Sequence, residues 1–551
     1  MVEYAIVESK CIGNKTSDNV VNLTLYTIEL NKQVLVFNNS KRSSEATAER
    51  IANAISNVEN KNELEIISNK ILKSLSNPTK QCKRLAKIVK LGVAFHHSGL
   101  VAKQRNLIEK GFKKGVIKVI SSTPTLAAGL NLPAYKVIIK DYKRYSNRGM
   151  SDIPILEYHQ MSGRAGRPGK EDIGKAVLCI PNDSEKDRVI PKYIFGKPEE
   201  IISKLAMEPT LKMYLLSLIS MDIINTKIEI KTFFSNTLYA TQYGDLEDLF
   251  KNIFKILDTL KDYNFINQDD DYYIATRIGK KISELYLNPD TANFFIENFE
   301  DMVKLFSKQN ISKFDIFSLI HFFVNTMEMK PLFRVNKIEE EYYISKLEEL
   351  SDKLLFKFDP FEQDYEVYLS SLKTTELFID WISEAPEDYI MEKYKVTPGE
   401  LNYKLGILDW LIYSISEIAI LKKNIFFKNF LSKFRIRFKN GIHEELIPLI
   451  DLKYIGRVRA RRLYSSGLKS ISDLRSVNLN VIIKVVGENI AKKIKEQLDD
   501  EKFNSIENQA EKKPYEIKVR DVSDYEVEKL INTYKEFEKE KRENKSLTDF
   551  F

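Results

Sequence analysis

The chain has 551 residues, 43% apolar and 30% charged, with 20 Gly and 16 Pro; this excludes collagen-like and Pro-rich chains and predicts several helix-rich domains of ~150 residues each. Cys11, Cys82 and Cys179 lie too far apart for a disulfide framework or a CxxC zinc site and suit a reducing, cytoplasmic setting, and no signal-peptide or membrane-spanning pattern occurs. The net charge of +7 is unevenly spread: residues 421–470 carry 13 Lys/Arg against 3 Asp/Glu, so this block holds +10 and the rest sums to −3, as expected of a local polyanion-binding surface.

In chain order, Val34–Phe37, Val93–His96, Val116–Ser121, Tyr135–Lys140 and Ala176–Ile180 read as short buried strands. Ser43–Val58, Gln81–Lys90, Val101–Gly111 and Ile155–Ser162 read as helices between them. The alternation predicts an α/β domain over 1–185, a parallel sheet with helices on both faces and ligands at the carboxyl ends of its strands. Mainly α domains are expected beyond it. Residues 186–290 fit a winged helix, with an antiparallel wing near Tyr272–Ala275, and 291–440 fit a helical bundle. Residues 441–505 fit a compact set of short helices, and 506–551 a Lys/Glu-rich tail.

Two strings in the first domain carry chemistry, Ser121–Ala134 (SSTPTLAAGLNLPA) and Tyr158–Gly169 (YHQMSGRAGRPG). In the second, Arg164 and Arg167 can face one polyphosphate while Gly163 and Gly166 let backbone approach it. Guanidinium stays charged and forks onto phosphate oxygens, which suits charge stabilisation in phosphoryl transfer. A P-loop, G-x-x-x-x-G-K-[ST], is not found. The near match Gly169–Ala176 has Ala176 in place of the hydroxyl that holds Mg²⁺ and runs into a strand. His96 and His97 adjoin no Cys or carboxylate at metal-ligand spacing, so no metal site is expected.

With Leu35–Arg42 (LVFNNSKR) and Phe95–Leu100 (FHHSGL), these strings resemble the second RecA-like motor domain of superfamily 2 helicases of the Ski-like branch. Over the whole chain the resemblance narrows to archaeal Hjm-type DNA repair helicases. It implies that Gln160, Arg164 and Arg167 are catalytic, the arginines as fingers on the γ-phosphate, and that Gly129, Asn131 and Gly163 bind the nucleotide. It places Ser40, Arg42, His97, Thr123 and Thr125 on the nucleic-acid backbone, and a strand-splitting β-hairpin near Ser146–Met150 with Tyr145 and Arg148 on DNA. ATP and Mg²⁺ are the implied cofactors, with the P-loop and Mg²⁺ ligands supplied by a first RecA-like domain that these residues do not contain. The implied activity is 3′-to-5′ unwinding of branched or forked DNA; a Ski-type RNA helicase part and a DNA-binding adaptor without a motor are the alternatives.

Thr397–Ala419 resembles the ratchet helix of that family, where Trp410 either stacks on a base or packs in the core. Tyr403 stands where the family often has Arg, with Lys404 beside it. Tyr454–Leu474 resembles a helix-hairpin-helix, with Arg457, Arg459, Arg461 and Arg462 expected on DNA phosphates. The terminal ENKSLTDFF resembles a sliding-clamp-binding peptide, with Leu547, Phe550 and Phe551 as its apolar plug and Asn544 where that motif prefers Gln.

Overall fold

The computed structural model describes residues 15–75, 78–146, 149–167, 169, 173–307, 311–350, 353–357 and 364–499. Short β-branched runs become β1 (Val34–Phe37), β2 (Val93–His96), β3 (Val119–Ser122) and β4 (Lys136–Ile139), followed by β5 (Lys143–Ser146), β6 (Gly149–Asp152) and β7 (Lys175–Leu178). Five of them form a parallel sheet in the order β2-β3-β1-β4-β7, with Val34 level with Val119 on one side and Lys136 on the other. β5 and β6 pair separately as an antiparallel hairpin. All five expected strands form. The third starts at Val119 because the amides of Val116 and Ile117 instead donate to the Gly111 carbonyl, closing the preceding helix.

Helices of this domain are α1 (Asn19–Glu29), α2 (Lys41–Ala54), α3 (Lys61–Leu72), α4 (Lys80–Val89), α5 (Ala102–Lys113), α6 (Thr125–Gly129) and α7 (Ile155–Ser162). Their apolar faces and the sheet bury one core running from Val20 to Tyr193. α1, α3 and α6 are additional to the helices expected from sequence; α1 is started by Asp18, whose carboxylate accepts from the amides of Val20 and Val21.

Among the described residues the remainder is helical apart from one hairpin, Ile266–Asp269 with Tyr272–Ala275, which forms where the wing was expected between helices Glu247–Asp262 and Arg277–Glu284. Five further helices, Lys313–Val324, Tyr365–Ile382, Glu387–Tyr394, Pro398–Leu421 and Ile425–Asn440, share one continuous apolar core with the wing region, from Leu211 to Phe438. The chain divides into two compact units, Met1–Ile450 with Gly456–Arg461, and Asp451–Ile455 with Arg462–Phe551. In the second, Ile471–Ser476, Leu479–Val486 and Glu488–Asp499 are short helices that bury Leu474, Ile482, Ala491, Ile494 and Leu498. Among the described residues, no helix is long and apolar enough to cross a membrane, and no group of three His, Cys, Asp or Glu could hold a metal.

Candidate nucleic-acid groove and nucleotide-facing surface

Parallel strands deliver their following loops to one edge of the sheet, and a groove of about 650 Å³ lies there. Asn39, Ser40 and Lys41 reach it after β1, Ser98 after β2, Thr123 and Thr125 after β3, and Gln160 from α7. Ser40 caps α2 by accepting from the Ser43 amide at 3.1 Å, and the hydroxyls of Thr123 and Thr125 are 2.9 Å apart. Arg42 is exposed in the first turn of α2 and has no partner among the described residues. Hydroxyls, an amide and a helix N-terminus on loop ends suit a phosphate backbone read without regard to sequence.

Gln160 lines this groove beside Ser40, Thr123 and Thr125. One residue of the motifs stands elsewhere than expected. His97 is fully buried, so it does not touch a ligand in the groove. Its Nδ1 accepts from the Gly99 amide at 3.1 Å, Nε2 lies 3.1 Å from a Glu45 carboxylate oxygen, and its ring stacks on Phe95. Because Nδ1 accepts, the proton sits on Nε2 and points at Glu45.

The β5–β6 hairpin projects Tyr145 and Met150, which face each other across the strands at 84% and 66% exposure. Arg148 lies outside the described residues. A set of ions braces the hairpin's base. Tyr142 and Arg188 donate to Glu185, Lys143 lies 3.3 Å from it, and Asp152 receives Arg188 and Lys192. Hydrogen bonds from Tyr142 and then Arg188 hold Glu185 down at about 2. Burial works against the charge on Asp152, but Lys192 and Arg188 outweigh it and keep its pKa low. A carboxylate with a lowered folded pKa stabilises fully above its ordinary value of 4.5 and loses that contribution as pH falls toward about 2. We therefore expect amide exchange of Ile153, which donates to Tyr142 O at 2.8 Å, to lose protection across this window. Glu185→Gln should flatten the dependence; an unaltered profile in that variant would refute the assignment.

The two motif strings are knitted together as well. Ala134 and Ala165 form a parallel bridge, with the Ala134 amide donating to Arg164 O at 2.9 Å and the Gly166 amide to Ala134 O at 2.7 Å. Gly166 has φ +92°, and a Cβ on Gly174 would come within 2.2 Å of the Gly166 nitrogen, so both glycines are required by this crossing. The Arg164 guanidinium lies on the Ala127 carbonyl, Nε at 3.1 Å, at the end of a segment where Gly129 and Asn131 are exposed. Gly163 is exposed at the end of α7. Arg167 donates to Gln33, whose amide nitrogen bonds Phe112 O at 2.8 Å and Ile117 O at 2.7 Å. Gln33 is thus a positioning residue the motifs did not reveal. Nothing in its local sequence marks it, since its partners lie 79 to 134 positions away.

In the 24-residue helix Pro398–Leu421, Tyr403, Gly406, Trp410 and Tyr413 recur every three or four residues along one stripe, the first two exposed and the last two partly buried against the core. Tyr403 is 66% exposed, and a Cβ on Gly406 would meet open space. Trp410 is half-buried and packs against the core, with its indole N–H on Leu285 O at 3.0 Å. Lys404 does not replace the expected Arg. It is buried, donates to Met329 O, and burial lowers its pKa.

The four arginines at 457–462 divide by helical phase, since residues four apart share a face. Arg457 is buried, stacked 4.7 Å from the Trp381 ring and donating to Ala385 O, and burial lowers its pKa. Arg461 forks onto Glu384 with two bonds of 2.7 Å and reaches Glu445 at 2.9 Å. These two fasten the helix to the bundle and are not presented to a phosphate, contrary to expectation. Arg459 and Arg462 are exposed. Part of the +10 block is likewise consumed inside the fold, as in the Arg435–Asp409 fork at 2.7 and 2.9 Å.

Comparison with known proteins assigns residues 16–169 to the family described as helicase conserved C-terminal domain, 317–441 to archaeal helicase, domain 4, and 446–500 to SAM-like helix-hairpin-helix tandem. The chain is 35% identical over 524 residues to ATP-dependent DNA helicase Hel308 of Methanococcus vannielii, covering 88% of this chain and 68% of that protein. It is 37% identical over 466 residues to the protein of the same name from Pyrococcus horikoshii, covering 84% and 63%. The chain thus spans about two thirds of the length of these curated relatives. With the motor motifs, the domain 4 match and the helix-hairpin-helix match in one order along one chain, it belongs to the Hel308 family of archaeal DNA helicases.

Proposed function

We propose that this chain grips single-stranded and forked DNA and separates its strands as part of an ATP-dependent 3′-to-5′ helicase acting on branched repair and recombination intermediates. The observation that carries the reading is the single groove lined by Ser40, Thr123, Thr125 and Gln160 at the carboxyl ends of the strands, in a domain that also holds Arg164 and Arg167 beside exposed glycine backbone. In this reading the arginines stabilise charge on the transferred phosphoryl group. The P-loop and the Mg²⁺ ligands come from a first RecA-like domain. Tyr145 and Met150 meet the last base pair, Tyr403 and Trp410 face single-stranded bases, and Leu547, Phe550 and Phe551, which lie outside the described residues, engage a sliding clamp.

The deciding experiment is ATP hydrolysis with single-stranded DNA or RNA, by the chain alone and with a first RecA-like domain added. Hydrolysis by the pair, stimulated by DNA, is expected. Hydrolysis by the chain alone would overturn the division of the site, and stimulation by RNA alone would favour an RNA helicase. For the helix-hairpin-helix, Arg462→Ala should reduce the slope of log affinity against log salt by about 0.7–0.9. Arg461→Ala should instead lower the melting temperature with the slope intact. Equal slopes for the wild type and Arg462→Ala would remove Arg462 from the phosphate contacts.

A further inference from the structure

His97 is buried where a ligand contact was expected, and its partners lead to an unassigned joint. His97 fixes the Gly99 amide, leaving the Gly99 carbonyl directed outward, where it accepts from the Gly399 amide at 2.9 Å. Gly399 is the second residue of the long helix Pro398–Leu421, where the first amides of a helix lack intrahelical partners. A carbonyl from the motor domain thus satisfies an amide that would otherwise face water. The approach is backbone on backbone: a Cβ on Gly399 would fall 2.1 Å from Ser98 O, and one on Gly99 2.9 Å from Thr397 Oγ1.

The same helix end is held a second time. Glu400 closes a capping box on Thr397, accepting from its amide at 2.9 Å and its hydroxyl at 2.7 Å, while the other carboxylate oxygen takes Lys41 Nζ at 2.5 Å. Burial opposes the charge on Glu400, but Lys41 and then Thr397 outweigh it and keep its pKa low. Lys41 follows Ser40 in the first turn of α2, and Lys41 and Ser98 both line the groove. Glu45, one turn further along α2, is the partner of His97. One connected set of bonds therefore runs from the groove through α2 and His97 to the start of the helix that carries Tyr403 and Trp410.

We propose that the Ser98–Gly99 turn and the first turn of Pro398–Leu421 form a mechanical joint that makes the long helix move with the groove, with His97, Gly99, Gly399 and Glu400 as its positioning residues. This rests on the helicase reading above and names the connection through which motor movement reaches the DNA-facing helix. A joint rather than mere packing is indicated because the amide–carbonyl bond, the capping box and the Lys41 ion pair all converge on one helical turn.

The test combines two readouts on the full chain. By hydrogen exchange, Gly399→Ala should speed the amides of residues 399–401 by about tenfold while the strand amides of the sheet stay protected. With a first RecA-like domain added, the variant should hydrolyse ATP with DNA as the wild type does, yet separate about tenfold fewer base pairs per ATP. Should Gly399→Ala fail to fold, Glu400→Gln keeps a side-chain acceptor for Thr397, weakens only the Lys41 pair, and should shift both readouts in the same direction by about threefold. Unchanged exchange, or hydrolysis and unwinding falling together, would overturn the joint. If the wild-type pair neither hydrolyses ATP nor unwinds, the helicase reading has failed, and the exchange result still decides whether the joint exists.

Discussion

Arg164→Ala is expected to lower DNA-stimulated ATP hydrolysis by about 10³–10⁵-fold in the chain completed with a first RecA-like domain, while single-stranded DNA still binds. The size follows from what a finger does: a fixed positive charge beside the developing charge costs no reorganisation at the moment of reaction. Arg164 is held in a half-buried site by the Ala127 carbonyl, which aims it without neutralising it. Lysine should restore little, because a point charge on a flexible stem cannot make the paired N–H contact to Ala127. Arg167→Ala should cost as much activity and some stability as well, since buried Gln33 would lose the donor to its side-chain oxygen. Steady-state hydrolysis and oligonucleotide anisotropy on the same preparations check both. Wild-type turnover in Arg164→Ala would end the finger assignment.

What could be read from residues alone was whatever has a short-range signature. β1 and β2 form over the expected residues because four-residue β-branched and aromatic runs between polar loops have few other fates. The hairpin at Lys143–Asp152 was legible for a similar reason, extended stretches around Asn-Arg-Gly. Partnership across the fold was not legible. Arg457, Arg459, Arg461 and Arg462 look alike in a charge count, yet the helix turns two of them toward Trp381 and Glu384, about 75 positions earlier. His97 carries a motif's signature, but a motif marks that a residue is needed, not whether it touches ligand or supports what does. Gln33, Glu185 and Glu400 belong to no motif, and each does its work through a group more than 40 positions away.

The two tryptophans should respond to alanine in opposite ways. Trp381 is 8% exposed, donates its indole N–H to Phe438 O at 2.7 Å, and carries the buried Arg457 guanidinium on its face. Gly441 leaves room for that stack, because a Cβ there would come within 2.7 Å of the Trp381 ring and 2.9 Å of Arg457. Trp381→Ala removes a large buried ring and leaves a guanidinium in a cavity, so a loss of about 3–5 kcal/mol is expected. Arg457→Ala alone should cost less, since the ring can remain while an expensive buried charge is removed. Trp410 is only partly buried at the edge of the core and anchored by one side-chain bond to Leu285 O. Its replacement should cost only about 1–2 kcal/mol. Denaturant unfolding of the chain measures all three. If DNA passes along the helix that carries Tyr403 and Trp410, Trp410→Ala should impair unwinding far more than its small stability loss explains, and Trp381→Ala should impair it only in proportion to unfolding. Equal destabilisation by the two substitutions would show that Trp410 is a core residue and would take this stripe of the helix out of the proposed DNA path.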